Sequence, residues 1–228
     1  MPTLRLLTYN VRSMRDDREA LGRVIRSAAA EVVLIQESPR FLRWRSLCAQ
    51  LARTSNLVVV SGGRAAGSNL ILSSLAVDVD SSTDVLFSRE PKLHRRGTAI
   101  AVLRYRGARF AVAGIHLDLV EAPRLRHIGE LDAAIDAHVP ADVRTVVAGD
   151  VNDQPGSLTW AALTARRRDA FAEAGVGEPN TSSAQEPRRR IDAVFTDPGI
   201  EVRTARVLVH PELEAASDHR PVLAELDL

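Results

Sequence analysis

The chain holds one cysteine, Cys48, and one lysine, Lys92, in 228 residues. A single thiol excludes an internal disulfide and a cysteine-based metal site. Cys48 falls in a helix-like stretch from Phe41 to Leu51 and reads as a small buried hydrophobe. The lone lysine has no glycine-rich phosphate loop before it. Gly-x-Gly-x-x-Gly, Gly-x-Ser-x-Gly and His-Glu-x-x-His patterns are also missing, so the common nucleotide-binding, nucleophile-elbow and zincin signatures are not here. Aromatic residues make up only 4%, whereas nucleic-acid binders often carry aromatic stacking residues, which weakens the case for a nuclease. No apolar run reaches the ~20 residues of a membrane-spanning helix. The strand pattern begins at the N-terminus without a signal-peptide pattern before it. These absences predict a cytoplasmic monomer with no membrane segment.

What is present is a core. Hydrophobic residues are 45% of the chain and the net charge is +1. That charge neither requires nor forbids a polyanionic partner. The candidate site residues run from Asn10 to His219 and must converge, so one domain over residues 1–228 is expected.

Leu4 to Tyr9 reads as a strand. Asp16-Asp17 precedes a helix, with Asp16 as its cap and Glu19 as the third residue of a capping box. Leu21, Val24, Ile25 and Ala28 give that helix an apolar face. Val32 to Gln36 is a short buried strand. Pro39 opens a second helix reaching about Arg53, and Leu57 to Val60 is a strand. Strands are expected at Asn69–Ser73, Val77–Val79, Val85–Phe87, Gly97–Tyr105 and Arg109–Ile115. The last two are joined by a hairpin turn at Tyr105-Arg106-Gly107-Ala108. Leu125, Ile128, Leu131 and Ile135 mark a helix on which His127 and His138 face solvent. Thr145–Ala148 is a strand, and Pro155-Gly156-Ser157 starts a helix carrying Trp160. Glu173 to Arg190 is a loop, and three strands finish the chain. The arginine triplets at 166–168 and 188–190 read as solvated loops, and Trp44 and Trp160 as core. This order predicts an α/β fold of two packed sheets with helices outside.

Polar residues recur at the ends of these strands. Asn10, Glu37, Asp150, Asn152, Asp192, Asp218 and His219 form an oxygen-rich set with few histidines. Such a set suits Mg²⁺ or Mn²⁺ better than zinc, and suits phosphate esters, whose oxygens complete the metal shell. His219 is the candidate for proton handling near neutral pH, with Asp192 its orienting partner.

Six ordered motifs carry a resemblance. Thr8-Tyr9-Asn10, Gln36-Glu37, Ile115-His116-Leu117, Gly149-Asp150-Val151-Asn152, Arg190-Ile191-Asp192 and Ser217-Asp218-His219-Arg220-Pro221 resemble those of the endonuclease/exonuclease/phosphatase superfamily, the DNase-I-like fold. The resemblance implies a four-layer α-β-β-α sandwich and a metal-dependent phosphoesterase. It implies that Glu37 binds the metal with Asn10 and Asp218 near it. Asp150 would orient or activate water, Asn152 would hold a phosphate oxygen, and Asp192 would orient His219. His116 would contact the scissile phosphate. Arg89 and Arg96 both lie where the family places a phosphate-contacting arginine. Val151 stands where the family usually has a large aromatic, so a local repacking is expected.

Each residue also has an ordinary reading. Asn10 could cap a turn, Asp150 and Asn152 could form an Asx turn, and Asp192 could make a surface ion pair. Glu37 at the end of a buried strand is harder to explain without a partner. The substrate stays open among nucleic acids, lipid headgroups and small phosphate esters. A nuclease is the first alternative. A non-catalytic binding module is the second, disfavoured because every expected polar position is filled.

Overall fold

The computed structural model describes residues 2–228. Its strands are β1 (Thr3–Asn10), β2 (Val32–Gln36), β3 (Val58–Gly63), β4 (Asn69–Ser73), β5 (Val77–Leu86), β6 (Gly97–Tyr105), β7 (Ala108–His116), β8 (Thr145–Asp150), β9 (Arg168–Asp169), β10 (Asp192–Thr196), β11 (Glu201–Val207) and β12 (Val222–Asp227). Its α-helices are α1 (Arg18–Ser27), α2 (Trp44–Thr54), α3 (Glu121–His138), α4 (Leu158–Thr164), α5 (Ala170–Ala174) and α6 (Leu213–Ala216). The strands form two six-stranded sheets, ordered β11-β12-β1-β2-β4-β3 and β5-β6-β7-β8-β10-β9.

Strand alternation builds the layers. Successive side chains of a strand point to opposite faces. Leu4 and Leu6 of β1, with Val32 and Leu34 of β2, pack between the sheets against Val112, Val146, Ala148 and Val194. Their alternates, Leu7, Tyr9, Val33 and Ile35, pack on the far side against α1 and α2 through Leu21, Val24, Ile25, Cys48 and Leu51. In the second sheet Ala113, Ile115, Val147 and Phe195 face α3 and α4 through Ile128, Leu131, Trp160 and Leu163. The result is the expected four-layer α-β-β-α sandwich. Strands buried on both faces explain their near-continuous apolar runs.

The same period of two places polar groups at the seam. Counting by twos from Leu4 and Leu6 reaches Thr8 and Asn10, and from Val146 and Ala148 reaches Asp150. From Val112 it passes Gly114 to reach His116, and from Val194 it steps back to Asp192. Thr8, Asn10, Asp150, His116 and Asp192 therefore face the other sheet, the last four at the ends of strands. His116, Asp150 and Asp192 are also lateral neighbours, because β8 pairs His116 on one side and Asp192 on the other.

Several expectations shift. Asp17, not Asp16, caps α1, accepting from the backbone N–H groups of Glu19 and Ala20 at 2.9 and 3.1 Å. The second helix starts at Trp44, not Pro39. Residues 37–43 stay irregular because Ser38 is tied by its N–H and hydroxyl to the Ser68 carbonyl. Two expected short strands merge into β5, whose polar middle is exposed and holds a register shift near Ser81. His127 does not face solvent: it stacks on Phe87 with centroids 5.2 Å apart, because the segment after β5 folds over α3. Arg167 is likewise buried and bonded to Asp132 at 2.5 Å. The Tyr105–Ala108 hairpin is as expected, with Arg106 and Gly107 in the left-handed region at φ 48° and 86°. Trp160 is core, whereas Trp44 is half-buried at its edge. Cys48 is buried.

Gly149 is fixed by contact. A Cβ there would sit 1.9 Å from the Ile115 carbonyl oxygen, in the β7–β8 ladder beside Asp150. Gly149→Ala is expected to cost at least about 2 kcal/mol, seen as a fall of roughly 4–8 °C in melting temperature. An unchanged melting temperature would show that the ladder can open here at no cost.

Candidate active site

The site is organised around Asp150, which is 1% exposed. Its Oδ2 accepts from the Asn10 side-chain amide at 3.0 Å. The same oxygen lies 3.4 Å from His116 Nε2 and 3.9 Å from His219 Nε2. Its Oδ1 accepts from the Asn152 backbone N–H at 2.9 Å. Asn152 makes that turn at φ 54° and donates its side-chain amide to the Leu117 carbonyl at 3.0 Å.

Asn10 joins the two sheets. Its amide nitrogen also donates to Glu37 Oε1 at 3.2 Å, and its oxygen accepts from the Arg12 N–H at 3.0 Å. The bond to its oxygen fixes the orientation of the amide, so nitrogen faces the carboxylates. The ordinary turn-capping reading of Asn10 is thus present, and its other end bridges Glu37 and Asp150.

His219 Nδ1 donates to Asp192 Oδ2 at 2.9 Å. Asp192 is 1% exposed, so its surface-pair reading does not hold. The 180–190 loop braces this corner. The Thr181 hydroxyl accepts from Asp192 N–H at 3.2 Å, the Thr181 carbonyl from Arg220 N–H at 2.8 Å, and the Asp218 carbonyl from Ala184 N–H at 2.7 Å. The Ser217 hydroxyl donates to the Asn10 carbonyl at 2.8 Å, fastening the same corner to β1.

Burial sets the charges. Desolvation, then the neighbouring Asp192, pushes the Asp150 carboxyl up to about 7. Desolvation and Arg96 hold His116 well below the usual histidine value, so it is neutral. Burial also opposes charge on His219, but Asp192 and Asp150 outweigh it and push its imidazolium up to about 10. The two histidines beside one carboxylate therefore differ in charge at neutral pH, His116 neutral and His219 cationic.

Glu37, His116, Asp150, Asn152 and His219 line one cleft of about 250 Å³, with Arg96 on its wall. Asn10 and Asp192 stand behind them. Asp218 sits at the rim, 42% exposed, 3.3 Å from Arg12 Nε. Of the two candidate arginines, Arg96 is the one in the cleft, 7% exposed and 3.7 Å from buried Asp118. Arg89 lines the neighbouring groove instead. Sequence reasoning missed Arg40, His94 and Ser68, which also line the cleft. His94 was visible two residues before Arg96 but had no motif of its own. Arg40 was hidden in an expected helix. Arg190 turns away from the site to a bidentate pair with Asp169, at 2.9 and 2.7 Å. Val151 is fully buried beside Trp160 in the sheet–helix core, where the smaller side chain is accommodated.

The donor set fits a hard cation. Glu37 receives one hydrogen bond from Asn10, while Arg12 is paired with Asp16 and Asp218, and Arg96 with Asp118. Asp150, Asp192 and His219 also lie close enough to hold an ion, with ligand atoms within 4.8 Å of one another.

Two mixed sheets with helices outside and a carboxylate–histidine cleft at their seam define a DNase-I-like scaffold. The chain belongs to the endonuclease/exonuclease/phosphatase family, whose sequence model matches residues 7–219. Members of this family are hydrolases acting on phosphate esters and are generally dependent on divalent metals. Solved structures share the fold. An endonuclease/exonuclease/phosphatase from Bacteroides vulgatus is 19% identical, with TM-score 0.84 and full coverage of both chains. A mannosyl-6-phosphatase from Bacteroides thetaiotaomicron is 15% identical, with TM-score 0.83 and coverage of 99% of this chain and 100% of that one. TDP2 of D. rerio, complexed with a single-strand DNA product, is 16% identical, with TM-score 0.78 and full coverage of both. A search of curated proteins gave no match. Among the described residues, no helix is long and apolar enough to cross a membrane.

Replacing Asp192 by Asn should drop the His219 value from about 10 towards its ordinary 6.5, read by imidazole NMR titration of metal-free protein. A raised value means the bond contributes stability fully present below pH 6.5 and lost as pH rises through about 10. Asp192→Asn should flatten that part of the stability profile, and an unshifted titration would remove Asp192 as the cause.

Proposed function

We propose that this protein is a divalent-metal-dependent phosphoesterase, a hydrolase of phosphate diesters or monoesters. The observation that carries the reading is the buried Asp150 carboxylate, held by the Asn10 amide and the Asn152 N–H at 3.0 and 2.9 Å with His116 and His219 Nε2 at 3.4 and 3.9 Å from it. Burial raises its pKa, which suits a base that takes a proton near neutral pH.

In this reading water enters beside Asp150 and attacks phosphorus in line with the leaving oxygen. Asp150 takes the water's proton as the new P–O bond forms and the bond to the leaving group breaks. Asn10 and the Asn152 N–H hold Asp150 in place at 3.0 and 2.9 Å. His219, kept charged by Asp192, contributes positive charge to the phosphoryl oxygens and can give a proton to the departing oxygen. Neutral His116, Asn152 and Arg96 would contact non-bridging oxygens. Glu37, with Asn10 and Asp218 near it, would hold Mg²⁺ or Mn²⁺, which supplies neutralisation of charge on the phosphoryl group and leaving oxygen.

Bis(p-nitrophenyl) phosphate and its monoester, assayed with Mg²⁺ or Mn²⁺ and again with EDTA, test the reading. Turnover should require the metal. Glu37→Gln and His219→Ala should each lower kcat/KM by roughly 10²–10⁴-fold, with circular dichroism showing each variant still folded. Near-full activity in either folded variant would sink the mechanism.

A further inference from the structure

The catalytic cleft opens into a second groove. It is about 500 Å³ against about 250 Å³ for the cleft, and Arg40, Gly67 and Ser68 line both. The cleft alone falls short of the ~300–1,000 Å³ typical of small-molecule sites, so a substrate larger than one phosphoryl group extends past it.

The lining of this groove is chemically one-sided. Arg64, Arg89 and Arg95 converge on it with Arg40, and no acidic residue lines it. None of the four is in an ion pair among the described residues. By contrast, the more deeply placed Arg96, Arg124, Arg167 and Arg190 each meet a carboxylate. The chain as a whole carries only +1, so a general excess of positive charge does not account for four uncompensated guanidinium groups in one place. Like charges drawn together cost energy unless something anionic lies among them. Guanidinium is also the group that grips phosphate with paired donors.

Apolar contact is interleaved with the charge. Phe41 is 78% exposed on the groove wall, and the Arg40 guanidinium lies 5.5 Å from its ring centroid. Leu93 and Leu86 are 37% and 42% exposed beside it. Flat apolar surface next to phosphate-binding arginine matches the repeating unit of a nucleic-acid strand, base beside phosphate. A duplex would need a longer basic face than this short groove offers.

We propose that the groove is a second phosphate subsite, and that the substrate is a single-stranded oligonucleotide. Its scissile phosphate lies over Asp150, its next phosphate lies on Arg64, Arg89 and Arg95, and a base lies against Phe41. This rests on the phosphoesterase reading for its chemistry, and on the groove alone for its binding.

The test separates the two. A short fluorescein-labelled oligothymidylate is titrated with full-length protein in EDTA, followed by anisotropy at several salt concentrations. The variant is Arg64→Ser with Arg95→Ser, both exposed and outside the catalytic cleft; its melting profile confirms folding. Turnover is measured in parallel on the oligonucleotide and on thymidine 5′-(p-nitrophenyl phosphate), which carries a single phosphate. The expected result is at least ~10-fold weaker oligonucleotide binding in the variant, with a salt slope shallower by about 0.7 for each phosphate no longer neutralised. KM for the oligonucleotide should rise while turnover of the single-phosphate reporter stays within about twofold, as a subsite remote from the chemistry requires. Reporter turnover with arginine-independent oligonucleotide binding overturns the subsite and leaves the phosphoesterase standing. Arginine-dependent binding with no turnover of either compound does the reverse. Arginine-dependent sedimentation with phosphatidylserine vesicles, without oligonucleotide binding, overturns the nucleic-acid assignment in favour of a membrane surface.

Discussion

A carboxylate buried at the seam between two sheets must be satisfied from both sides, and Asp150 is. β8 supplies the carboxylate and β7 the neighbouring His116, while Asn10 reaches across from β1. An unpaired charge in that place would cost several kcal/mol, so the packing of the sheets and the integrity of the site are one problem. Asn10 is the joint. Its amide donates to a carboxylate in each half of the sandwich, and its backbone carbonyl accepts from Ser217, next to Asp218 and His219. Sliding one sheet against the other would break these bonds together.

The charge pattern follows from the neighbouring charges more than from residue type or depth. Two histidines sit within 4 Å of Asp150 Oδ2, at 3.4 and 3.9 Å, yet only one is protonated. His116 is buried with the Arg96 guanidinium as a near neighbour, and both influences disfavour charge. His219 is also buried, but Asp192 gives it a carboxylate at 2.9 Å. One sheet register supplies both conditions, because β8 has β7 on one side and β10 on the other. A shift of one residue in either pairing would turn His116 or Asp192 to the helix side and dissolve the arrangement.

This explains why the fold and most of the site were legible in the sequence. Period-two alternation fixed which residues face the seam, and Asn10, His116, Asp150 and Asp192 each end or begin an apolar strand. Their motifs are local, so their order along the chain was readable even though their meeting point was not. What stayed hidden was set by tertiary structure. The burial of His127 depends on the Phe87 segment closing over α3, and that of Arg167 on Asp132 from another element. The start of α2 lies later than the local pattern implies because Ser38 is tied to Ser68, thirty residues away in the chain. That Arg96 lines the cleft and Arg89 the adjoining groove needed the fold, since both lie in one arginine-rich stretch. Only Arg96 meets buried Asp118.

The division between strands and loops also separates chemistry from recognition. Seam residues come from strand ends whose spacing is set by the core, and few substitutions there leave both packing and charge intact. The groove beside them is built from segments 37–43, 64–68 and 86–95, between or just after strands, where side chains can change without disturbing the sheets. Gly67 marks how close these two systems come: a Cβ there would lie 2.5 Å from the Gly97 nitrogen, one residue from Arg96. The loop that floors the groove thus packs directly on the backbone that presents Arg96 to the cleft. The groove and the cleft therefore share one packed wall, although their side chains come from different segments.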